Sequence, residues 1–301
     1  MSDVWKLTAF ASKSEVEAAI AASEIAADWD AEMVLAGFEV SEDKPDDWRL
    51  DVYCPRKPGK KDRAAVVSLF SGSDPRLEVE KLPDADWVTE SQKGMDPIRA
   101  GRFHVRTPDH PANAAMVDLV IPASQAFGTG QHATTAGCLL MLERMRRDGV
   151  VARNLIDVGT GTGLLAFAAR HLWPRATVTA SDIDPVCEAV LVENAALNGV
   201  PLGGAPGQVR IAIADGLSDP LLQVRGPYDL LIANILARPL IDLAPHFADA
   251  VVPGGSVVLA GLLTTQEAGV RRAYRRAGFR LARRLERGDW SILWLRRRAA
   301  R

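Results

Sequence analysis

Four segments of this chain carry residue types that could hold a small ligand. The first is Leu155-Ile156-Asp157-Val158-Gly159-Thr160-Gly161-Thr162-Gly163-Leu164, an apolar run entering a glycine-rich turn. Glycines there supply tight-turn dihedrals and let backbone approach a ligand. The spacing is GxGxG, because Leu164 stands where a dinucleotide fingerprint has its third glycine. No Gly-Lys-Ser/Thr follows, so the turn is not a phosphate-binding P-loop. The second segment is Asp182, roughly 20 residues further on, where a carboxylate can accept hydrogen bonds from both hydroxyls of a ribose. The third is Asp215-Gly216, and the fourth is Ala233-Asn234-Ile235-Leu236-Ala237. Taken singly, each is also compatible with a plain strand-to-helix turn.

The elements that must position these residues turn four separate turns into one site. Apolar strands are expected at 154–158, 177–181, 209–214, 229–234 and 256–260, alternating with helices that are clearest at 164–172, 185–198 and 239–250. That rhythm predicts a mostly parallel sheet covered on both faces. Ligands of such sheets bind at the carboxyl ends of the strands, which is where all four segments fall. A nucleoside cofactor without a phosphate clamp is the chemistry this rim suits. In Asp182-Ile183-Asp184-Pro185 the second aspartate is expected to cap the helix opened by Pro185. Strands at 279–285 and 291–296 around Arg287-Gly288-Asp289 close the chain as an antiparallel hairpin.

Upstream, residues 4–82 read as a β-α-β-β-α-β unit. Strands are expected at 4–10, 32–40, 48–54 and 76–81, and helices at 14–27 and 60–70. Ser14 and Glu17 are spaced as a capping box for the first helix. Residues 84–94, with Trp87, predict a short helical linker. Phe103 to Arg106 and Met116 to Ile121 predict a hairpin around Thr107-Pro108-Asp109-His110-Pro111.

The rim resembles that of class I S-adenosylmethionine-dependent methyltransferases, whose cofactor carries no phosphate. Many of them have Asn/Asp-Pro-Pro-aromatic at the fourth strand, where this chain has Asn234-Ile235-Leu236. A second segment narrows the resemblance. Ala126-Phe127-Gly128-Thr129-Gly130-Gln131-His132-Ala133-Thr134-Thr135, with the downstream Asn-Ile-Leu-Ala, resembles the bacterial ribosomal protein L11 methyltransferase family. So does Trp87-Val88-Thr89-Glu90-Ser91-Gln92 followed by Pro97-Ile98-Arg99-Ala100-Gly101-Arg102-Phe103. Many members carry Asp-Pro-Gly where this chain has Ala123-Ser124-Gln125.

The resemblance spans the whole chain. It implies a ferredoxin-like α+β substrate-recognition domain over 1–83, a helical linker over 84–100 and a Rossmann-like methyltransferase domain over 101–301. That last domain would hold a mostly parallel seven-stranded sheet with a terminal antiparallel hairpin. It further implies S-adenosyl-L-methionine as cofactor, contacted by Thr135, Gly159, Gly161, Asp182, Asp215 and Asn234, and Asn234 as the catalytic residue. The implied substrate is ribosomal protein L11, methylated on lysine side chains, on its N-terminal amine, or on both. An electron-transfer-flavoprotein lysine methyltransferase, an RNA methyltransferase and an inactive nucleoside-binding protein are the alternatives.

Composition bounds these readings. Of 301 residues, 48% are hydrophobic and 25% charged, which excludes a disordered, collagenous or coiled-coil chain. Cys54, Cys138 and Cys187 stand singly, so neither a disulfide framework nor a zinc site is expected. The N-terminus lacks the pattern of a signal peptide and no stretch reads as a spanning helix, so a cytoplasmic protein, expected to be monomeric, is implied. The net charge of −2 hides an asymmetry. Residues 1–100 hold 13 Lys/Arg against 21 Asp/Glu, and residues 101–301 hold 23 against 17. The acidic part is a candidate docking surface for a basic partner. Residues 270–301 hold 12 Arg against Glu286 and Asp289, a tail that could touch RNA, although no RNA-binding motif accompanies it. His132 reads as a loop histidine holding the glycine-rich segment over the cofactor, with a general base as the sharper alternative. His104, His110, His171 and His246 read as structural, and Trp5, Trp29, Trp48 and Trp173 as packing residues.

Overall fold

The computed structural model describes residues 5–25, 29–30, 33–40, 46–70, 75–81, 97–122 and 131–299. The chain divides into two compact units, Met1–Ser91 and Gln92–Arg301. Trp87–Gln92, the segment 123–130 and most of the expected linker lie outside the described residues.

In the first unit, strands β1 (Trp5–Ser12), β2 (Val34–Glu39), β3 (Asp47–Cys54) and β4 (Leu77–Lys81) form one sheet in the order β2-β3-β1-β4. Every pairing is antiparallel. Helices α1 (Lys13–Ile25) and α2 (Lys60–Ser68) complete the ferredoxin-like pattern. Alternation puts Leu7 and Ala9 of β1 beside Leu50 and Val52 of β3 in one core with Val16, Ala19 and Val66. The capping box sits two residues earlier than expected. Ser12 Oγ accepts from the Glu15 amide at 3.4 Å, and Glu15 Oε2 accepts from the Ser12 amide at 3.0 Å. Strand β1 stays paired out to Ser12, opposite Asp47, so the helix can begin only there.

The second unit opens with β5 (Ile98–Ala100), β6 (Phe103–Arg106) and β7 (Val117–Val120). β5 and β6 form the antiparallel hairpin, turning at Gly101, while β6 and β7 run parallel. The expected hairpin between 103–106 and 116–121 is therefore corrected, and Ile98–Ala100 is a strand rather than the end of a helical linker. The parallel register sets His104 opposite Asp118, whose carboxylate lies 2.6 Å from His104 Nδ1 and 2.9 Å from Arg106 Nε. Those bonds hold the Asp118 carboxyl below its usual range against the opposing effect of burial. His104 is thus a structural residue.

The remaining elements are α3 (Gln131–Arg147), β8 (Asn154–Val158), α4 (Leu164–Leu172), β9 (Thr177–Asp182), α5 (Val186–Leu197), β10 (Val209–Ile213), α6 (Pro220–Arg225), β11 (Tyr228–Asn234), α7 (Ala237–Ala250), β12 (Val251–Leu263), α8 (Glu267–Arg276), β13 (Phe279–Arg287) and β14 (Trp290–Arg297). The seven-stranded sheet has the order β10-β9-β8-β11-β12-β14-β13. β8 to β12 are parallel, and β14 is antiparallel to both of its neighbours. Leu230 and Ile232 enter one apolar core and Leu231 and Ala233 the other, so this strand is buried on both faces. Strand order reverses between β8 and β11, which opens a crevice at their carboxyl ends. Among the described residues no helix is long and apolar enough to cross a membrane.

Candidate active site

The glycine-rich turn leaves β8 at Val158 and enters α4 at Leu164. Gly159, Gly161 and Gly163 all take positive φ, at 68°, 52° and 84°. Asp157 fixes the turn from below: its Oδ2 accepts from Thr160 Oγ1 at 2.7 Å and from the Ala166 amide at 3.1 Å. Thr162 is tied to α5 through its carbonyl, which accepts from Asn194 Nδ2 at 2.9 Å. A Cβ on Gly163 would sit 2.5 Å from Leu191 and 2.7 Å from Phe167, so this glycine lets α4 and α5 close on the turn.

Gly159 has a different neighbour. A Cβ there would lie 2.3 Å from Cγ2 of Ile235, the residue after Asn234. On its other side Ile235 is held by β12, where a Cβ on Gly261 would lie 2.4 Å from the Ile235 carbonyl oxygen. Ile235 is therefore wedged between the glycine-rich turn and a bulge in β12, and it locks the end of β11 to both. Gly159→Ala is expected to combine backbone strain with this collision. Adding Ile235→Ala removes the collision alone, so the double variant should recover part of the lost cofactor affinity and thermal stability. Strictly additive losses in a double-mutant cycle would show that the two residues do not press on each other.

The expected site residues gather at this rim, with one exception. Asp182, the last residue of β9, accepts from the Gly161 amide at 2.8 Å through Oδ2 and from the Asp184 amide at 3.1 Å through Oδ1. Asp184 Oδ1 accepts from the Val186 amide at 2.9 Å, as the capping reading expects. Asp215 is exposed just beyond β10, before Gly216 at φ 63°. Asn234 ends β11 opposite Ala260 of β12. Among the described residues its half-buried side-chain amide makes no hydrogen bond. It does not cap α7, whose first turn is preceded by Leu236 without a side-chain cap. The exception is Thr135, which comes from α3 and is buried, with no hydrogen bond joining it to the other residues. The His132 side chain lies outside the described residues.

Three apolar rim residues lie within the motifs named above, and the sequence assigns them no role of their own. Ile183 and Leu236 are 64% and 71% exposed, two large apolar side chains beside Asp182 and Asn234. Ile235 is legible in the sequence as part of the fourth-strand motif, but its packing between Gly159 and Gly261 is not. Burial, and next the charges of Asp182 and Asp184, push the Cys187 thiol up to about 11, so it stays protonated at neutral pH and is no nucleophile. Among the described residues no cluster of His, Cys, Asp or Glu could hold a metal ion.

The family model for Ribosomal protein L11 methyltransferase (PrmA) matches residues 12–298, nearly the whole chain. The chain belongs to the ribosomal protein L11 methyltransferase family. It is 42% identical over 273 residues to the ribosomal protein L11 methyltransferase of Agrobacterium fabrum, covering 88% of this chain and 90% of that one. Against the Rhizobium meliloti protein of the same name it is 40% identical over 270 residues, with 87% and 89% covered. A crystal structure of ribosomal protein L11 methylase from Lactobacillus delbrueckii subsp. bulgaricus superposes with a TM-score of 0.57 at 27% identity, over 68% of this chain and 98% of that one.

L11 methyltransferases are S-adenosylmethionine-dependent, and the residues at the rim fit that cofactor. The turn carries no Lys or Arg, which suits a ligand without phosphate. Asp157 Oδ1 is buried with no hydrogen-bond partner among the described residues, an orphaned acceptor beside the turn. Burial, aided by the Asp182 charge and opposed by the bonds from Thr160 and Ala166, pushes the Asp157 carboxyl up to about 7. Ionising it is costly in the protein alone, so its contribution to stability falls as pH rises from about 4 to about 7. A cationic ligand nearby would favour the carboxylate and offset that cost.

Proposed function

We propose that this chain moves methyl groups from S-adenosylmethionine to amines of ribosomal protein L11, on lysine side chains, on the N-terminal amine, or on both. The half-buried amide of Asn234 at the strand end, beside the glycine-rich turn and without a hydrogen bond among the described residues, is the observation that carries this reading. The bound cofactor supplies a methyl group on a sulfonium, already a good leaving group. The chain's own residues supply position and a suitable protonation state. Only a neutral amine has the lone pair that attacks. Taking a lysine from pKa ~10.4 to pH 7 costs roughly 4.6 kcal/mol. The exposed apolar Leu236 suits the alkyl stem of a lysine, and the water excluded when a bound substrate covers it would disfavour the ammonium charge, which lowers that cost. Asn234 Oδ1 accepts a hydrogen bond from the incoming nitrogen and aims its lone pair. Asp182, which keeps the turn in place, would hold the ribose hydroxyls. Gly159 and Gly161 would line the approach to the cofactor and Asp215 would reach the adenine edge, whereas Thr135, buried on α3, is assigned to the cofactor by the family resemblance alone.

The first unit recruits the substrate. Its acidic excess suits a lysine-bearing protein, and the family match includes it. That breadth favours L11 over an electron-transfer flavoprotein, because the relatives acting on the latter resemble only the catalytic part. The enzyme works as a cytoplasmic monomer. Purified L11, S-adenosylmethionine and either the full chain or a chain starting at Gln92 test this by mass spectrometry. The later start at Ala100 would cut β5, whose Ile98 and Ala100 belong to the core of the catalytic unit. The full chain should methylate L11, and the shortened chain should bind cofactor without methylating it. An unmodified L11 with the full chain would overturn the substrate, and equal activity of both chains would overturn the role of the first unit.

A further inference from the structure

The methyl-transfer reading assigns no role to the arginine excess of residues 270–301, and four of these arginines line one groove. Helix α8 and the first residues of β13 border a groove of about 490 Å³, lined among others by Arg271, Arg272, Tyr274, Arg275, Phe279 and Arg280. Arg271 is engaged, with Nη1 3.0 Å from Glu267 Oε1. Arg272, Arg275 and Arg280 form no ion pair among the described residues. The Arg280 guanidinium donates only to main-chain carbonyls, those of Phe279 at 2.7 Å and Arg275 at 3.3 Å. Tyr274 borders the same groove, and its hydroxyl is buried without a hydrogen-bond partner among the described residues.

Arginines on an edge strand also discourage edge-to-edge pairing, and β13 is the edge of its sheet. That explains charge on β13. It does not explain three arginines on the α8 side of the groove, or the crowding of like charge there. Desolvation, and then the charges of Arg298 and Arg275, hold the Arg280 guanidinium below its ordinary value. Unneutralised guanidinium groups converging on a groove are an anion site, and their planar forks match phosphate oxygens.

The register separates this groove from the methyl-transfer rim. Leu281 pairs with Leu295, which pairs with Val257, which lies beside Leu231. The β13 side of the groove therefore reaches no further than the middle of the parallel strands, and the rim is at their carboxyl ends.

We propose that the groove between α8 and β13 binds the phosphate backbone of a polynucleotide, independently of base sequence. The exposed Arg276 and Arg298 continue the positive surface past the groove, more cationic positions than one phosphate group can use. The aromatic residues lining the groove, Tyr274 and Phe279, are themselves buried, so base stacking is not available and phosphate contacts carry the binding. The inference is independent of the substrate named above.

Fluorescence anisotropy of a labelled polyuridylate oligonucleotide, titrated with the full chain over a range of salt, tests it. Affinity should fall linearly with salt on logarithmic axes. Arg272→Ala/Arg275→Ala, two exposed positions, should weaken binding about tenfold at low salt and flatten the slope by about 1 to 2. The same variant should keep its thermal midpoint and its S-adenosylmethionine affinity, which shows that it is folded. Direct calorimetric titration with inorganic pyrophosphate separates the sources of phosphate. Pyrophosphate binding without oligonucleotide binding would assign a small phosphate ligand and overturn the proposal. Equal oligonucleotide binding by variant and parent would overturn it as well.

Discussion

Asn234→Ala is expected to lower kcat by roughly 10- to 1,000-fold while changing cofactor affinity far less. The residue ends β11 at the crevice, and alanine keeps its main-chain carbonyl while deleting the amide that would orient the attacking nitrogen. An interaction made mainly in the transition state appears in kcat, because ground-state binding does not use it. The competing account is a capping or buried-backbone role, in which alanine would cost stability. That account has no hydrogen bond to stand on: among the described residues the Asn234 amide bonds to nothing, and α7 takes no side-chain cap. The thermal midpoint should therefore stay close to that of the parent. Single-turnover methylation at saturating cofactor, run beside thermal melts, separates the accounts. A variant that turns over normally per folded molecule would end the catalytic assignment.

The parts of this fold legible in the sequence are those fixed by local pattern. The strand-turn-helix around Gly159–Gly163 combines an apolar run with glycines that all require positive φ, and no other element type satisfies both. The closing hairpin likewise follows from an arginine-interrupted run and an apolar run on either side of Arg287-Gly288-Asp289. Where two local patterns compete, the decision is long-range. Ser12/Glu15 and Ser14/Glu17 both satisfy a capping box, and only the pairing of β1 with β3 out to Ser12 chooses between them. The turn signals Pro108 and Pro111 suggest a hairpin, but the pairing of His104 with Asp118 belongs to parallel strands. Gly159 is the same lesson at the site. Its lack of a side chain reads as room for a ligand, yet the nearest obstruction to a Cβ is Ile235, brought there by β11 from far along the chain.

Asp182→Ala is expected to weaken S-adenosylmethionine binding by about 1.5–3 kcal/mol, roughly 10- to 150-fold, from loss of charge-assisted hydrogen bonds to the ribose. The carboxylate also has a structural role, since it accepts from the Gly161 and Asp184 amides and so joins β9 to the glycine-rich turn. Alanine removes both roles together, and a fall in affinity could then arise from a loosened turn alone. Asp182→Asn separates them. Its side-chain oxygen still accepts from one backbone amide at nearly the same volume, but the charge is gone and its NH₂ would oppose a second amide donor. If ribose recognition dominates, asparagine should also lose affinity, at least about tenfold, while melting close to the parent. If holding the turn dominates, both variants should melt early, and alanine earlier than asparagine. Calorimetric titration with S-adenosylmethionine and with a 2′-deoxyribose analogue completes the test. The parent should prefer the ribose form and the asparagine variant should show a much smaller preference, because the hydroxyl no longer meets a carboxylate. Unchanged affinity in both variants would mean that the cofactor does not lie along this rim.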